Sequence, residues 1–258
     1  MRHTHTTWRR RPRMLSAIAV VAALAVLATS GCAAWRIRQS VELARQSEPF
    51  EASPTGAVAS LLVVGDSTAV GTGASSPAGS VAGLIGLAHP RLKVTNRAKD
   101  GAKFADIARQ LEALGAQRFD AILVLGGGND VIRLTRYETL EQDIARTAEL
   151  ARTHANLVVV MPCGNVGSAP FFFAPWSWLM TKRSQVLHGF VREAAKDNGA
   201  LYVNLYKDKA EDPFALRPDE LNAGDGLHPS DAGYRLWWHE LNQQADFSSR
   251  LAALRRQG

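Results

Sequence analysis

Short apolar runs closed by turn residues alternate with longer segments whose apolar residues recur at helical spacing. No other feature constrains this chain more. The runs lie at 60–65 (SLLVVG), 92–95, 120–126 (DAILVLG), 157–161 (LVVVM) and 201–205 (LYVNL). Each predicts a strand buried on both faces of a parallel sheet. Between them, residues 103–114 put Phe104, Ile107, Ala108, Leu111 and Leu114 on one helical face and stop at Gly115. Residues 137–153 and 178–197 carry similar faces, the second ending at Asn198-Gly199, and a last helix spans 230–244. Strand–helix alternation predicts a doubly wound α/β sheet that binds its ligands at the carboxyl ends of the strands. Asp66-Ser67, the Gly127–Asp130 turn and the loop after Met161 then share one rim.

The 258 residues, 46% hydrophobic and 21% charged, suffice for one such domain. That composition excludes a collagen, a disulfide-stapled miniprotein, a wholly disordered chain and a polytopic membrane protein. The net charge of +6 is unevenly placed. Residues 1–45 hold eight Arg and one acid, for +7, whereas the rest holds 22 Lys+Arg against 23 Asp+Glu, for −1. A nearly neutral folded part has no electrostatic claim on nucleic acid.

Residues 2–13 are basic and polar, and Met14 to Thr29 is almost wholly apolar, which is the layout of an export signal. Three readings stand side by side. Cut after a small residue, it is a secretory signal peptide. Uncut, Met14 to Trp35 is an apolar anchor helix long enough for the ~20 residues of a membrane span. Trp35 then sits at the interface and the preceding Arg residues hold the N-terminus in the cytoplasm. Thr29-Ser30-Gly31-Cys32 is similar to a bacterial lipoprotein box, with lipid on Cys32. All three place the folded part on the extracytoplasmic face of the cell membrane or in the cell envelope. The predicted organisation is a signal or anchor segment over 1–35, a short helix and linker acting as a stalk over 36–57, the α/β domain over 58–247 and a tail over 248–258.

The first strand ends in Gly65-Asp66-Ser67-Thr68-Ala69-Val70-Gly71. A Ser at the carboxyl end of a strand is placed for nucleophilic attack, and also for capping a helix. Asp225-Gly226-Leu227-His228 offers the base that a Ser hydroxyl needs, and Asp225 is close enough in sequence to orient the imidazole. Gly127-Gly128-Asn129-Asp130 comes directly after the strand at 120–126. Asn129 brings a neutral N–H donor suited to a developing oxyanion. Gly101, after the 92–95 strand, can turn its backbone N–H to the same oxyanion.

With these four blocks in this order, the chain resembles the SGNH hydrolases, also called GDSL esterases and lipases, over about residues 58–245. The resemblance implies a flavodoxin-like three-layer α/β/α sandwich with a five-stranded parallel sheet. It implies Ser67 as nucleophile, His228 as base and then acid, and Asp225 as its orienter. It further implies an oxyanion hole made by the Ser67 N–H, the Gly101 N–H and the Asn129 side chain. No Gly-x-Ser-x-Gly elbow occurs, which argues against the ordinary α/β-hydrolase arrangement.

Asp66 and Asp130 are alternative triad acids, better read as hydrogen-bonders that hold their own blocks. Phe171, Phe172, Phe173 and Trp176 lie beyond the fourth strand and are candidates for a substrate pocket, for a bilayer contact or for loop packing. Cys163 reads as a small buried residue. No ligand cluster points to a metal, and neither a dinucleotide fingerprint nor a Walker sequence points to a cofactor. The expected activity is hydrolysis of small or lipid-like acyl esters. O-deacetylation of an envelope glycan, or acyl transfer to one, uses the same residues. A non-catalytic glycan-binding module is the reading from a different class.

Overall fold

A computed structural model of the chain describes residues 34–254. The leader, with Cys32 and most of the proposed anchor, lies outside the described residues. Among the described residues no helix is long and apolar enough to cross a membrane.

Five strands form one parallel sheet in the order β2-β1-β3-β4-β5. They are β1 (Ala59–Gly65), β2 (Leu92–Asn96), β3 (Ala121–Gly126), β4 (Leu157–Pro162) and β5 (Leu201–Tyr202). The apolar runs of β1, β3 and β4 supply both faces at once, because successive side chains point to opposite sides, whereas edge strand β2 exposes Lys93. Leu62, Val64, Ile122, Val124, Val158 and Val160 pack into a core with α4 (Phe104–Glu112), α5 (Gly128–Ile132), α6 (Tyr137–His154) and α7 (Trp176–Asp197). Leu61, Val63, Leu123, Leu125, Val159 and Met161 pack on the other face with α3 (Val81–Ala88), α10 (Asp231–Ala245) and α11 (Phe247–Leu254). Each fully buried Leu, Val or Ile contributes about 1.5–3 kcal/mol, so the two layers share the stabilising work. This is the flavodoxin-like order, whose topological switch point lies between β1 and β3.

The structure departs from the sequence expectations at several places. The run at 201–205 continues as a strand only through Tyr202. There the Asn204 N–H turns to the Gln244 side chain at 2.8 Å, and the Asn204 Oδ1 accepts from the Tyr206 N–H, so the ladder ends. Residues 248–254, expected as tail, belong to α11, and Phe247 and Leu251 bury its inner face in the core. Residues 34–46 form a helix, α1, as the sequence suggested. The linker beyond α1 is tied to the domain: Ala52 pairs antiparallel with Val94 on the β2 edge, and Phe50 packs against the core. Three further short helices stand where the sequence shows no helical period: α2 (Ser67–Val70), α8 (Pro213–Leu216) and α9 (Pro218–Leu221).

Candidate active site

The nucleophile candidate sits where β1 runs into α2. A Cβ on Gly65 would come within 1.8 Å of the Leu125 carbonyl oxygen, so only glycine lets β1 lie this close to the end of β3. Asp66 caps α2, its Oδ1 accepting from the Thr68 N–H at 2.9 Å and the Thr68 hydroxyl at 2.7 Å. Burial pushes the Asp66 carboxyl up to about 6, against the opposing pull of the Thr68 donors. Ser67 is the first residue of α2 and is itself largely buried.

His228 reaches Ser67 from a loop 161 positions away, with Nε2 2.9 Å from Oγ. Its Nδ1 lies 2.6 Å from Asp225 Oδ2. The Asp225 side chain is 0% exposed, and Oδ1 accepts the N–H groups of Leu227 at 2.9 Å and His228 at 3.1 Å. Burial alone would raise the Asp225 carboxyl, but the donors from His228, Ser40 and Leu227 prevail and hold it at about 2. Asp225 is therefore an acceptor across the neutral range and keeps Nδ1 as the protonated ring nitrogen. Such a chain can carry a proton from a hydroxyl to an imidazole.

The loops are fastened to one another at short range. Thr72 donates its hydroxyl to Asp100 Oδ1 at 2.7 Å, linking the Ser67 turn to the loop bearing Gly101. Asp130 Oδ2 accepts the Phe104 N–H at 2.9 Å, linking the Asn129 turn to the other end of that loop. Asp66 thus holds its own turn, Asp130 ties its turn to the start of α4, and the histidine partner is Asp225. Gly101 has φ +75°, a left-handed conformation that glycine accommodates, and it faces the same cavity as Asn129.

That cavity measures about 380 Å³, and Ser67, His228, Gly101 and Asn129 all line it. Val166, Ala169, Phe171, Leu205 and Trp237 supply apolar wall. Of the four aromatic residues predicted for a pocket, only Phe171 is in the lining, where its N–H bonds to the Gly226 carbonyl at 3.0 Å. The others are corrected by the packing. Phe172 is partly buried against the core, while Phe173, in the loop before α7, and Trp176, the first residue of α7, are exposed. Cys163 also lines the cavity, but burial pushes its thiol well up and keeps it protonated. Among the described residues no group of three or more His, Cys, Asp or Glu is gathered to hold a metal.

Sequence reasoning missed one wall. Ile37, Ser40, Val41 and Ala44 of α1 line the cavity, and Ser40 donates to Asp225 Oδ2 at 2.6 Å. Their spacing of i, i+3, i+4, i+7 is the mark of a helix with one committed face, and it was readable in the sequence.

Comparison with known proteins agrees with this fold. LAE5, an alpha/beta hydrolase enzyme from the metagenome of Lake Arreo, Spain, superposes with a TM-score of 0.58 at 20% identity, covering 76% of this chain and 98% of that one. Axe2, an acetylxylan esterase from Geobacillus stearothermophilus, superposes with a TM-score of 0.56 at 21% identity, covering 73% of this chain and 94% of that one. At these identities the likeness concerns the fold. The GDSL-like esterase Rv1075c of Mycobacterium tuberculosis (strain ATCC 25618 / H37Rv) is 29% identical over 184 residues. The alignment takes in 68% of this chain and 58% of that relative, so the chain spans less than two thirds of its length. Residues 63–236, which hold Ser67, Gly101, Asn129, Asp225 and His228, match the GDSL-like Lipase/Acylhydrolase family, and to that family this chain belongs.

Proposed function

We propose that this protein is a serine ester hydrolase working through an acyl-Ser67 intermediate. The observation that carries the reading is the unbroken run from Ser67 Oγ through His228 to Asp225, at 2.9 and 2.6 Å, opening into an apolar cavity. Ser67 Oγ attacks the ester carbonyl while His228 Nε2 takes its proton. The negative charge on the carbonyl oxygen is met by the N–H groups of Ser67 and Gly101 and the Asn129 side-chain amide. The C–O bond to the alcohol then breaks, and His228 returns the proton to the departing oxygen. Water, deprotonated by the same imidazole, attacks the acyl-enzyme and releases the acid and free Ser67.

The substrate in this reading is an ester with an apolar acyl group, because Ile37, Val166, Phe171, Leu205, Phe214 and Trp237 give the cavity beside Ser67 an apolar side. We place the protein at the extracytoplasmic membrane surface. The basic and apolar leader supports this, and so do the exposed rings of Trp35, Phe173, Trp176 and Trp178. Recovery of the full chain from the cytosolic fraction of its host would refute the location.

The test of the activity is turnover of p-nitrophenyl esters, from acetate to palmitate, by the full chain and by Ser67→Ala. Turnover that depends on Ser67 and peaks above acetate supports the reading. A peak at acetate shifts it to deacetylation, including that of envelope glycans. Product formed only with an added alcohol shifts it to acyl transfer. Failure of a fluorophosphonate to label Ser67 in the folded protein removes the nucleophile and leaves a binding module.

A further inference from the structure

We propose that α1, which precedes the family-matched region, is part of the catalytic apparatus, with Ser40 as a positioning residue for the Asp225 carboxylate. This rests on the hydrolase reading above. Ser40 and Asp225 are 185 positions apart, yet the Ser40 hydroxyl donates to Asp225 Oδ2 at 2.6 Å. That oxygen is the one that accepts from His228 Nδ1. Oδ1 takes the N–H groups of Leu227 and His228, so each oxygen of the carboxylate accepts two donors. A carboxylate has about four lone-pair sites, and all are filled in a single orientation. Without Ser40, Oδ2 keeps one donor and the carboxylate can tilt away from the imidazole.

The helix that brings Ser40 is itself held against the site. The Arg36 guanidinium donates to the Pro170 carbonyl oxygen and stacks over the Phe173 ring at 5.1 Å. Phe171, adjacent to Pro170, is bonded to Gly226 beside Asp225. The loop that orients the histidine, the aromatic loop and α1 therefore interlock. Ile37, Val41 and Ala44 flank Ser40 on the same stripe and line the cavity. Ile37 and Val41 are 53% and 44% exposed, a poor arrangement for solvated apolar side chains and a suitable one for a wall that an acyl group covers. The same stripe thus faces the triad acid and the space for substrate.

The test compares the full chain with Ser40→Ala, Ser40→Thr, Asp225→Asn, Ser40→Ala/Asp225→Asn and Ser67→Ala. It reads p-nitrophenyl ester turnover, the rate of Ser67 labelling by a fluorophosphonate, and the melting temperature. Ser40→Ala is expected to lower kcat about tenfold, the low end for a hydrogen bond to a charged group, with KM for p-nitrophenyl acetate unchanged. Ser40→Thr is expected to retain the wild-type rate, because it keeps the hydroxyl. In the Asp225→Asn background the Ser40 change is expected to add nothing, since it acts through that carboxylate. Wild-type kcat in Ser40→Ala overturns the inference. So does equal impairment of the Thr and Ala variants, or losses that multiply in the double variant. If Ser67→Ala abolishes turnover while Ser40→Ala is silent, the positioning role alone falls. If Ser67→Ala retains full turnover, the hydrolase reading itself falls.

Discussion

The Tyr234 hydroxyl donates to the Thr72 carbonyl oxygen at 2.8 Å, in the fully buried interior behind the site. Thr72 lies just past the turn that holds Ser67, and Tyr234 lies on α10, which begins just after His228. This bond therefore spans the two loops whose separation sets the Ser67–His228 distance. Tyr234→Phe leaves a buried carbonyl without its partner and is expected to cost about 1–3 kcal/mol of stability. Because the loops loosen, kcat falls while KM for a short ester holds. Chemical denaturation and steady-state kinetics on the same preparation check both, and an unchanged kcat would show that the loops are held elsewhere.

Asn129 is expected to act on the transition state and not on the bound ester. Asn129→Ala should lower kcat by ~10²–10³, or about 2.7–4 kcal/mol. KM should change little, because the ground-state carbonyl makes a weaker demand on the donor. A rise in KM at constant kcat would assign Asn129 to substrate binding.

Asp66 gives the fold a pH dependence of defined sign. Its carboxyl is raised from 3.8 to about 6, chiefly by burial. At pH below 3.8 it is protonated in both folded and unfolded chains. Between about pH 4 and 6 the unfolded chain releases this proton and the folded one keeps it, so stability falls across that window, by roughly 3 kcal/mol, and stays lower above it. Asp66→Asn has no proton to lose. Its melting temperature relative to wild type should climb from about pH 4 to about pH 7, as differential scanning calorimetry can measure. A constant difference would mean that Asp66 titrates alike in both states.

Gly65→Ala is expected to be among the most damaging single-methyl changes in the sheet. The new Cβ meets backbone, the Leu125 carbonyl oxygen at 1.8 Å, with the Ala69 methyl at 2.6 Å behind it. Neither is the flexible end of a side chain, so β1 and β3 must separate. A loss of about 3 kcal/mol or more is expected, read as a lowered urea midpoint or as insoluble protein. Near-wild-type stability would show that the end of β1 can shift.

Local pattern and tertiary placement divide this protein between them. The order and kind of the main elements were legible in the sequence, because period-3.6 stripes and short apolar runs are local consequences of burial. The blocks around Ser67, Gly101, Asn129 and Asp225–His228 were legible too, since each occupies a short stretch of sequence whose chemistry is recognisable by itself. Three features were decided only when the chain closed. The run at 201–205 ends early because Asn204 finds a better partner in Gln244 than in the neighbouring strand. Phe171 enters the cavity and Phe173 leaves it because one is bonded beside Asp225 and the other meets Arg36, and composition does not distinguish adjacent rings. Ser40 meets Asp225 for the same reason: the two are brought together by the docking of a whole helix, and a hydrogen bond across 185 positions leaves no period for the sequence to display.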